Sequence, residues 1–263
     1  MNALRQSGYT LLSLPKADVL PLALLLKTSS GVVEKLNSNI KTLFKPTTKL
    51  PPALSKDVPL PSGLSNMENL DVKAEADVSF IKGLFKVFSG SGSAGFSLEN
   101  KENVSLKLNN AKSRFIDIVK LDEFIQTSEL NSDAKAIVER LKHDDLYVVT
   151  EIIKANNFTL EENNNTAIGA KAEVNATGIL NANTEFNMQK EKKKQIQNLD
   201  DTYYTIAIKA YRILYDKPSL FSNRPAGFRI REANDIKHFK GGEENYPAVL
   251  LENELIELSD VTV

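Results

Sequence analysis

The 263-residue chain has no cysteine and no tryptophan, and only two histidines. Without cysteine there is no disulfide framework, thiolate metal site or cysteine nucleophile; this fits a reducing compartment. His143 and His238 stand apart, in no metal-ligand spacing and beside no nucleophile motif. The chain also lacks a P-loop, a G-x-S-x-G elbow and an H-E-x-x-H helix, so no catalytic constellation emerges. Its acidic residues fall mostly on expected solvated strand faces, and no cofactor is indicated. Long apolar runs are missing too. The longest, Val19 to Leu26, is broken by Pro21, whereas a spanning helix needs roughly 20 residues. That run reads as a buried core segment. The N-terminus carries no basic region followed by an apolar stretch, so no secretory signal is expected. The net charge of -1 gives no bias toward nucleic acid.

What is present is alternation. The pattern predicts a strand at Tyr9–Leu14, ended by Pro15, and a short amphipathic helix over 31–44, with Val32, Val33, Leu36, Ile40 and Leu43 at helical spacing. Five prolines between 46 and 61 predict a loop over 45–65. From Val72, apolar Val72, Ala74, Ala76, Val78 and Phe80 alternate with polar residues, which predicts a half-buried strand. Residues 80–88 then read as a short apolar helix or buried connection, and 89–95 as a Gly/Ser loop. A second alternating strand carries Phe96, Leu98, Val104, Leu106 and Leu108. A helix is predicted over 120–142, with Ser132 and Asp133 able to cap its second half. A strand over 145–160 and a polar turn over 161–165 follow.

The longest dyad runs from 168 to 188. Ile168, Ala170, Ala172, Val174, Ala176, Leu180 and Phe186 lie on one face, with mostly polar residues on the other. Ordinary strands average about 5–6 residues. A strand that lines a pore and faces lipid needs this alternation over about 9–11 residues; an antiparallel sheet with one wet face shows it as well. Lys190, Lys192, Lys193 and Lys194 end the dyad and suit anionic headgroups, although a solvated turn has the same composition. A last strand is expected over 202–215. From Gly241-Gly242 the composition changes. Residues 243–263 hold six acids and no base, so they carry -6 and leave residues 1–242 at +5. Val249, Leu250, Leu251, Leu255, Ile256 and Leu258 make this tail too apolar for a disordered acidic tail. They predict docking on the body, as a removable element or as the last piece of the core.

The stretch Gly8-Tyr-Thr-Leu-Leu-Ser-Leu-Pro-Lys-Ala-Asp-Val-Leu-Pro-Leu22 resembles the N-terminus of bacterial gasdermins, and the later order of elements is similar. The resemblance implies an α+β fold: a twisted central antiparallel sheet with peripheral helices. It implies a body over 1–242 and an inhibitory peptide over 243–263, with Val249, Leu250, Leu251, Leu255, Ile256 and Leu258 as its contacts. It implies a pore former, not an enzyme, that is a cytoplasmic monomer when intact. A caspase-like or trypsin-like protease, cutting near Leu250 or Leu251, would free the body. The body would then oligomerise on lipid and open a β-barrel pore in the inner membrane, as antiphage cell death. By matching order, the inserting hairpins would span roughly 72–108 and 158–197. One departure concerns a cysteine that many relatives carry near the N-terminus for palmitoylation. This chain has Ala3 and no cysteine, so that step does not carry over. The alternative is a non-lytic lipid- or protein-binding module whose tail is only structural.

Overall fold

The computed structural model describes residues 2–28, 32–71, 75–88, 103–131, 133–134, 137, 146–162, 193–197, 202–216, 227–230, 255–256 and 258–260. The fold is α+β and dominated by antiparallel sheet. Its centre is the pair β10 (Leu146–Ala155) and β13 (Tyr204–Asp216), antiparallel from Tyr147↔Arg212 to Ala155↔Tyr204. Both strands are apolar on both faces: Val148, Val149, Ile152, Ile153, Ile206, Ala207 and Ile208 are all fully buried. The last strand expected over 202–215 is β13, with Ile206 and Ile208 buried on one face and Ala207 on the other. β10 bulges between Val149 and Glu151. At the bulge the Thr150 hydroxyl donates to the carbonyl of Lys209 at 3.3 Å.

Outward from this pair, β13 is flanked by β1 (Thr10–Lys16), and β10 by β2 (Ala23–Lys27) and then β3 (Val33–Asn39). Pro15 does not end β1; it lies in the irregular stretch between the partners of Leu11 and Lys16, where a missing N–H removes no ladder bond. The helix expected over 31–44 is mostly β3. Its helical spacing loses to pairing with β2, and only α2 (Ile40–Leu43) is helical, capped by the Asn39 side chain, which accepts from the amide of Lys41 at 2.8 Å. The core reading of 19–26 holds at Val19, Leu24, Leu25 and Leu26, all buried, while Leu20 is exposed.

Further elements pack around this sheet. The proline-rich stretch is largely irregular, apart from β4 (Phe44–Pro46), β5 (Val58–Pro59) and α3 (Ser62–Ser65). β8 (Lys112–Phe115) pairs with both β5 and β10. Of the helix predicted over 120–142, the first half is α5 (Ile118–Gln126), followed by the short strand β9 (Ser128–Leu130) against β4; in the second half Ile137 is helical, and 132, 135–136 and 138–142 lie outside the described residues. The cap of α5 is Asp117, which accepts from the amides of Val119 and Lys120 at 3.0 and 3.2 Å. Leu121, Phe124 and Ile125 face inward, with Phe124 edge-on to Phe44 at 6.5 Å. β14 (Gly227–Ile230) pairs antiparallel with the C-terminal end of β13.

A second, four-stranded sheet runs β12 (Lys193–Gln197), β11 (Asn157–Glu162), β7 (Asn103–Asn109) and β6 (Asn66–Asp71). β7 alternates as predicted: Val104, Leu106 and Leu108 are buried, and Lys107 is exposed. The strand expected over 72–80 is not seen. From Glu75 the chain forms α4 (Glu75–Phe88), which includes Ala76 and Val78. Phe80, Ile81, Leu84 and Phe85 bury at helical spacing, and the buried Asp77 continues it one turn earlier. Asp77, expected on a wet strand face, is buried and paired with Arg5 of α1 (Asn2–Gln6) at 3.5 Å.

Candidate functional site

Two features stand out: the seat of the C-terminal segment and the second sheet with its helix. The tail contributes β15 (Leu255–Ile256) and β16 (Leu258–Asp260). β15 pairs in parallel with the outer edge of β1, Leu11↔Leu255 and Leu12↔Ile256. β16 pairs in parallel with the outer edge of β3, Leu258↔Val33 through Asp260↔Lys35. The strand order is β15-β1-β13-β10-β2-β3-β16. Its two ends are one residue apart in the chain, so a single segment satisfies both edges and closes the order on itself. Unpaired edges would otherwise invite association with another chain.

Ile256 and Leu258 are 4% and 2% exposed. They pack with Leu12, Val19, Leu25, Val33, Val149 and Ile208 in one buried cluster. The seat is braced by polar bonds: the Thr205 hydroxyl donates to the carbonyl of Val19 at 2.9 Å, and Lys35, 8% exposed, is ion-paired with Asp18. Beside it, Asp18, Leu20, Pro21, Lys35, Leu36 and Lys41 are among the residues lining an open cleft of about 430 Å³.

The second sheet is held by α4. Phe85 meets Phe158 edge-on at 5.3 Å, and Val104, Leu106, Leu108 and Leu160 share that buried cluster. α4 lies directly on β1. A Cβ at Gly83 would stand 1.7 Å from the carbonyl oxygen of Ser13, so only glycine fits this approach. At the head of β1, Tyr9 lies under the Lys209 ammonium at 4.3 Å, and Lys209 pairs with Glu151 at 3.2 Å. Burial, together with the Glu151 carboxylate, pushes the Tyr9 hydroxyl far above its ordinary value, so it stays neutral.

The two sheets join where β7 passes to β8, β10 to β11, and β12 toward β13. A charged cluster sits at this junction. Asp57 pairs with Arg114 at 2.7 Å and Lys154 at 2.7 Å. Partial burial raises the Asp57 carboxyl, but Lys154 and Arg114 outweigh it and hold the group below its usual range.

The expected site residues divide as follows. Ile256 and Leu258 are buried in the seat, and Leu255 is in β15. Val104 and Leu106 lie on the buried face of β7. Ala76 and Val78 are helical. Lys193 and Lys194 stand in β12, opposite Glu161 and Leu160. Val72, Ala74, Phe96, Leu98, Ile168, Ala170, Ala172, Val174, Ala176, Leu180, Phe186, Lys190, Lys192, Val249, Leu250 and Leu251 lie outside the described residues, as do the loop at 89–95, Ser132 and Gly241-Gly242. Sequence reasoning missed the junction cluster; its signal was the spaced pair Lys112 and Arg114 following the alternating strand. Among the described residues no group of acids and histidines is placed to hold a metal, and no helix is long and apolar enough to cross a membrane.

Comparison with known proteins gives a consistent picture. The profile of the Bacterial Gasdermin Family matches residues 12–223. A gasdermin bGSDM of Gillisia limnaea (strain DSM 15749 / LMG 21470 / R-8282) is 27% identical over 264 residues, spanning 98% of each chain. Another gasdermin bGSDM, from an unknown prokaryotic organism, is 27% identical over 258 residues and spans 92% of each. The solved structure of a bacterial gasdermin from Bradyrhizobium tropiciagri shares the fold, with a TM-score of 0.53 at 14% identity, covering 99% of this chain and 95% of that one.

Proposed function

The chain belongs to the bacterial gasdermin family, and from that premise we propose that it is an autoinhibited pore-forming protein released by proteolysis. Residues 1–242 are the pore-forming body and 243–263 the inhibitory peptide. The observation that carries this reading is the seat of the tail: one short segment occupies the open edges of both β1 and β3. A cut between Gly242 and Glu254, with Leu250 and Leu251 as candidate positions, leaves β15 and β16 held only by their own pairing and by the packing of Ile256 and Leu258. The covalent tether keeps the tail at high effective concentration; cutting it lets the tail leave.

Loss of all of residues 243–263 removes -6 and leaves a body of +5, and a cut at Leu250 or Leu251 removes the four acids that follow and leaves +3. That body is drawn to an anionic leaflet. Two edges are then open to neighbouring copies, and a closed ring of strands satisfies the backbone in lipid. The segments 72–108 and 158–197 extend into the bilayer, carrying Val104 and Leu106 onto the lipid-facing side. α4 must unwind for this, and Ala76 and Val78 change from helix to strand. The activating partner is a caspase-like or trypsin-like protease. The intact protein is a cytoplasmic monomer, the cleaved form an inner-membrane oligomer, and the outcome antiphage cell death. The reading requires no catalytic residue and no cofactor.

The burial of Ile256 and Leu258 within a core cluster equally favours a second reading, a non-lytic binding module whose tail completes the fold. Dye release from anionic liposomes separates the two. A specific protease site is placed near Glu244 and the intact protein is cut in the presence of vesicles. Release only after cleavage is the expected result. A cleaved protein that stays monomeric without release, or that unfolds, rejects the pore-forming reading.

A further inference from the structure

The turn that leads from β1 into β2 carries a conformation its sequence does not favour. The amide of Ala23 donates to the carbonyl of Leu20 at 3.1 Å, closing a four-residue turn with Pro21 second and Leu22 third. Leu22 has φ 75°, in the left-handed region that a type II turn requires at its third position and that glycine usually supplies. A leucine there is strained through its Cβ. Both of its backbone groups are fixed. The Leu22 amide donates to the carbonyl of Val149 at 2.7 Å, and the Leu22 carbonyl accepts from the amide of Ile40 at 3.0 Å. Its side chain is buried in one cluster with Leu24, Ile40 and Phe44. Strain that the surroundings hold in place in this way is concentrated at ligand sites. The facing strand is irregular at the same level. Between the pairs Ala23↔Asn39 and Leu25↔Lys35, β2 advances two residues and β3 four. β3 therefore bulges between Lys35 and Asn39, as strands do beside functional sites.

Both irregularities border the cleft of about 430 Å³ beside the tail seat, a volume that suits a small molecule. Leu20, Leu22, Leu36 and Leu54 supply apolar wall, and Leu20 and Leu54 remain exposed. The charged residues of the lining are Asp18, Lys35 and Lys41. Lys35 is buried and paired with Asp18, so these two cancel. The exposed Lys41 leaves the cleft one positive charge in excess. Beside it, the Asn39 side-chain oxygen accepts from the amide of Lys41, which leaves the Asn39 NH2 group to donate. We propose that the cleft binds a small carboxylic acid with an apolar body, its carboxylate held by Lys41 and Asn39 and its body against Leu20, Leu36 and Leu54. A carboxylate carries one charge and two acceptor oxygens, which match one ammonium and one amide NH2. A doubly charged phosphate would bring a charge that the cleft does not balance, next to Asp18. The site needs neither cleavage nor a membrane, so it stands or falls apart from the pore-forming reading.

The test uses the intact, full-length, isotope-labelled chain titrated with hydrocinnamate. Two controls divide the probe: hydrocinnamamide has the same body without the charge, and acetate has the charge without the body. Amide shifts locate binding and calorimetry measures it. Hydrocinnamate is expected to bind with a Kd on the order of 0.1–1 mM, with shifts centred on Leu20, Leu22, Leu36, Asn39, Lys41 and Leu54 and none from acetate. The amide should bind about fivefold more weakly. Lys41→Gln should bring hydrocinnamate down to the level of the amide while leaving the amide itself unchanged, a split that misfolding does not produce. Leu54→Ser, at an exposed side chain, should weaken both probes together. Equal binding of acid and amide, or a Lys41→Gln variant that binds hydrocinnamate like the wild type, overturns the proposal. So does the absence of shifts at about 10 mM hydrocinnamate, tenfold above the weakest expected Kd, and so do shifts centred elsewhere in the molecule. Dye release from vesicles decides the pore-forming reading separately, whichever way this titration falls.

Discussion

The two sheets of this molecule are built from different kinds of strand. In the large sheet, β10 and β13 are buried on both faces, so neither has a side that tolerates water or lipid alone. In the small sheet, β7 buries Val104, Leu106 and Leu108 on one face only, in a cluster shared with Phe80, Ile81, Leu84 and Phe85 of α4. The first arrangement fixes a strand in place, because exposing either face costs about 25 cal/mol for each Å² of apolar surface. The second lets a strand exchange a protein face for a lipid face at little net cost. On the function proposed above, the first sheet serves as a permanent frame and the second as the convertible part.

That contrast can be broken by experiment. The largest effect is expected from Phe158→Ala, where β11 meets α4. It should cost about 3–5 kcal/mol locally, seen as faster amide exchange in β7, β11 and α4, while β10 and β13 keep their protection. Equal loss of protection in both sheets would show one cooperative unit and end the comparison. Ile208→Ala, in the frame and against the tail, should cost about 2–4 kcal/mol and lower the protection of every strand. Gly83→Ala sharpens the comparison at the contact between the two parts. Its Cβ meets the Ser13 carbonyl, so α4 must lift from β1, at about 1–3 kcal/mol in urea unfolding.

The smallest effect concerns the junction cluster. The Asp57 carboxyl titrates below the ordinary carboxylate value, which is near 3.9 in an unfolded chain. Its contribution is therefore fully present above that value and is lost as the pH falls through the lower, folded value. Asp57→Asn should flatten the acid limb of the stability profile below about pH 4, and at neutral pH cost roughly 0.5–1 kcal/mol.

Much of the frame was legible locally. The alternation in β7, the apolar runs of β10 and β13, the irregular proline-rich stretch and the apolar spacing of Phe80 to Phe85 each predict what they form. Other elements were misread for one physical reason: short apolar runs satisfy two periods at once. Val33 to Ile40 fits a helix, yet it is a strand because β2 lies beside it. Val72 to Phe80 fits a strand, yet it is a helix from Glu75 because its apolar side docks on β1 at Gly83. The candidate site divides in the same way. The acidic, apolar character of residues 243–263 was visible, and so was the need for Ile256 and Leu258 to dock.

By itself, then, the sequence determined which residue types and motifs this chain lacks, the charge carried by residues 1–242 and 243–263, the alternation that suits a wet-faced strand and the N-terminal stretch that resembles its family. Only the tertiary structure decided that the last residues become two strands on opposite edges of one sheet, and that Asp57, Lys112, Arg114, Lys154 and Tyr203 meet at the junction of the two sheets. These are pairings between residues far apart in the chain. Backbone edges carry no side-chain signature, and ion pairs across such distances leave no period to read, so both exist only once the sheet has closed.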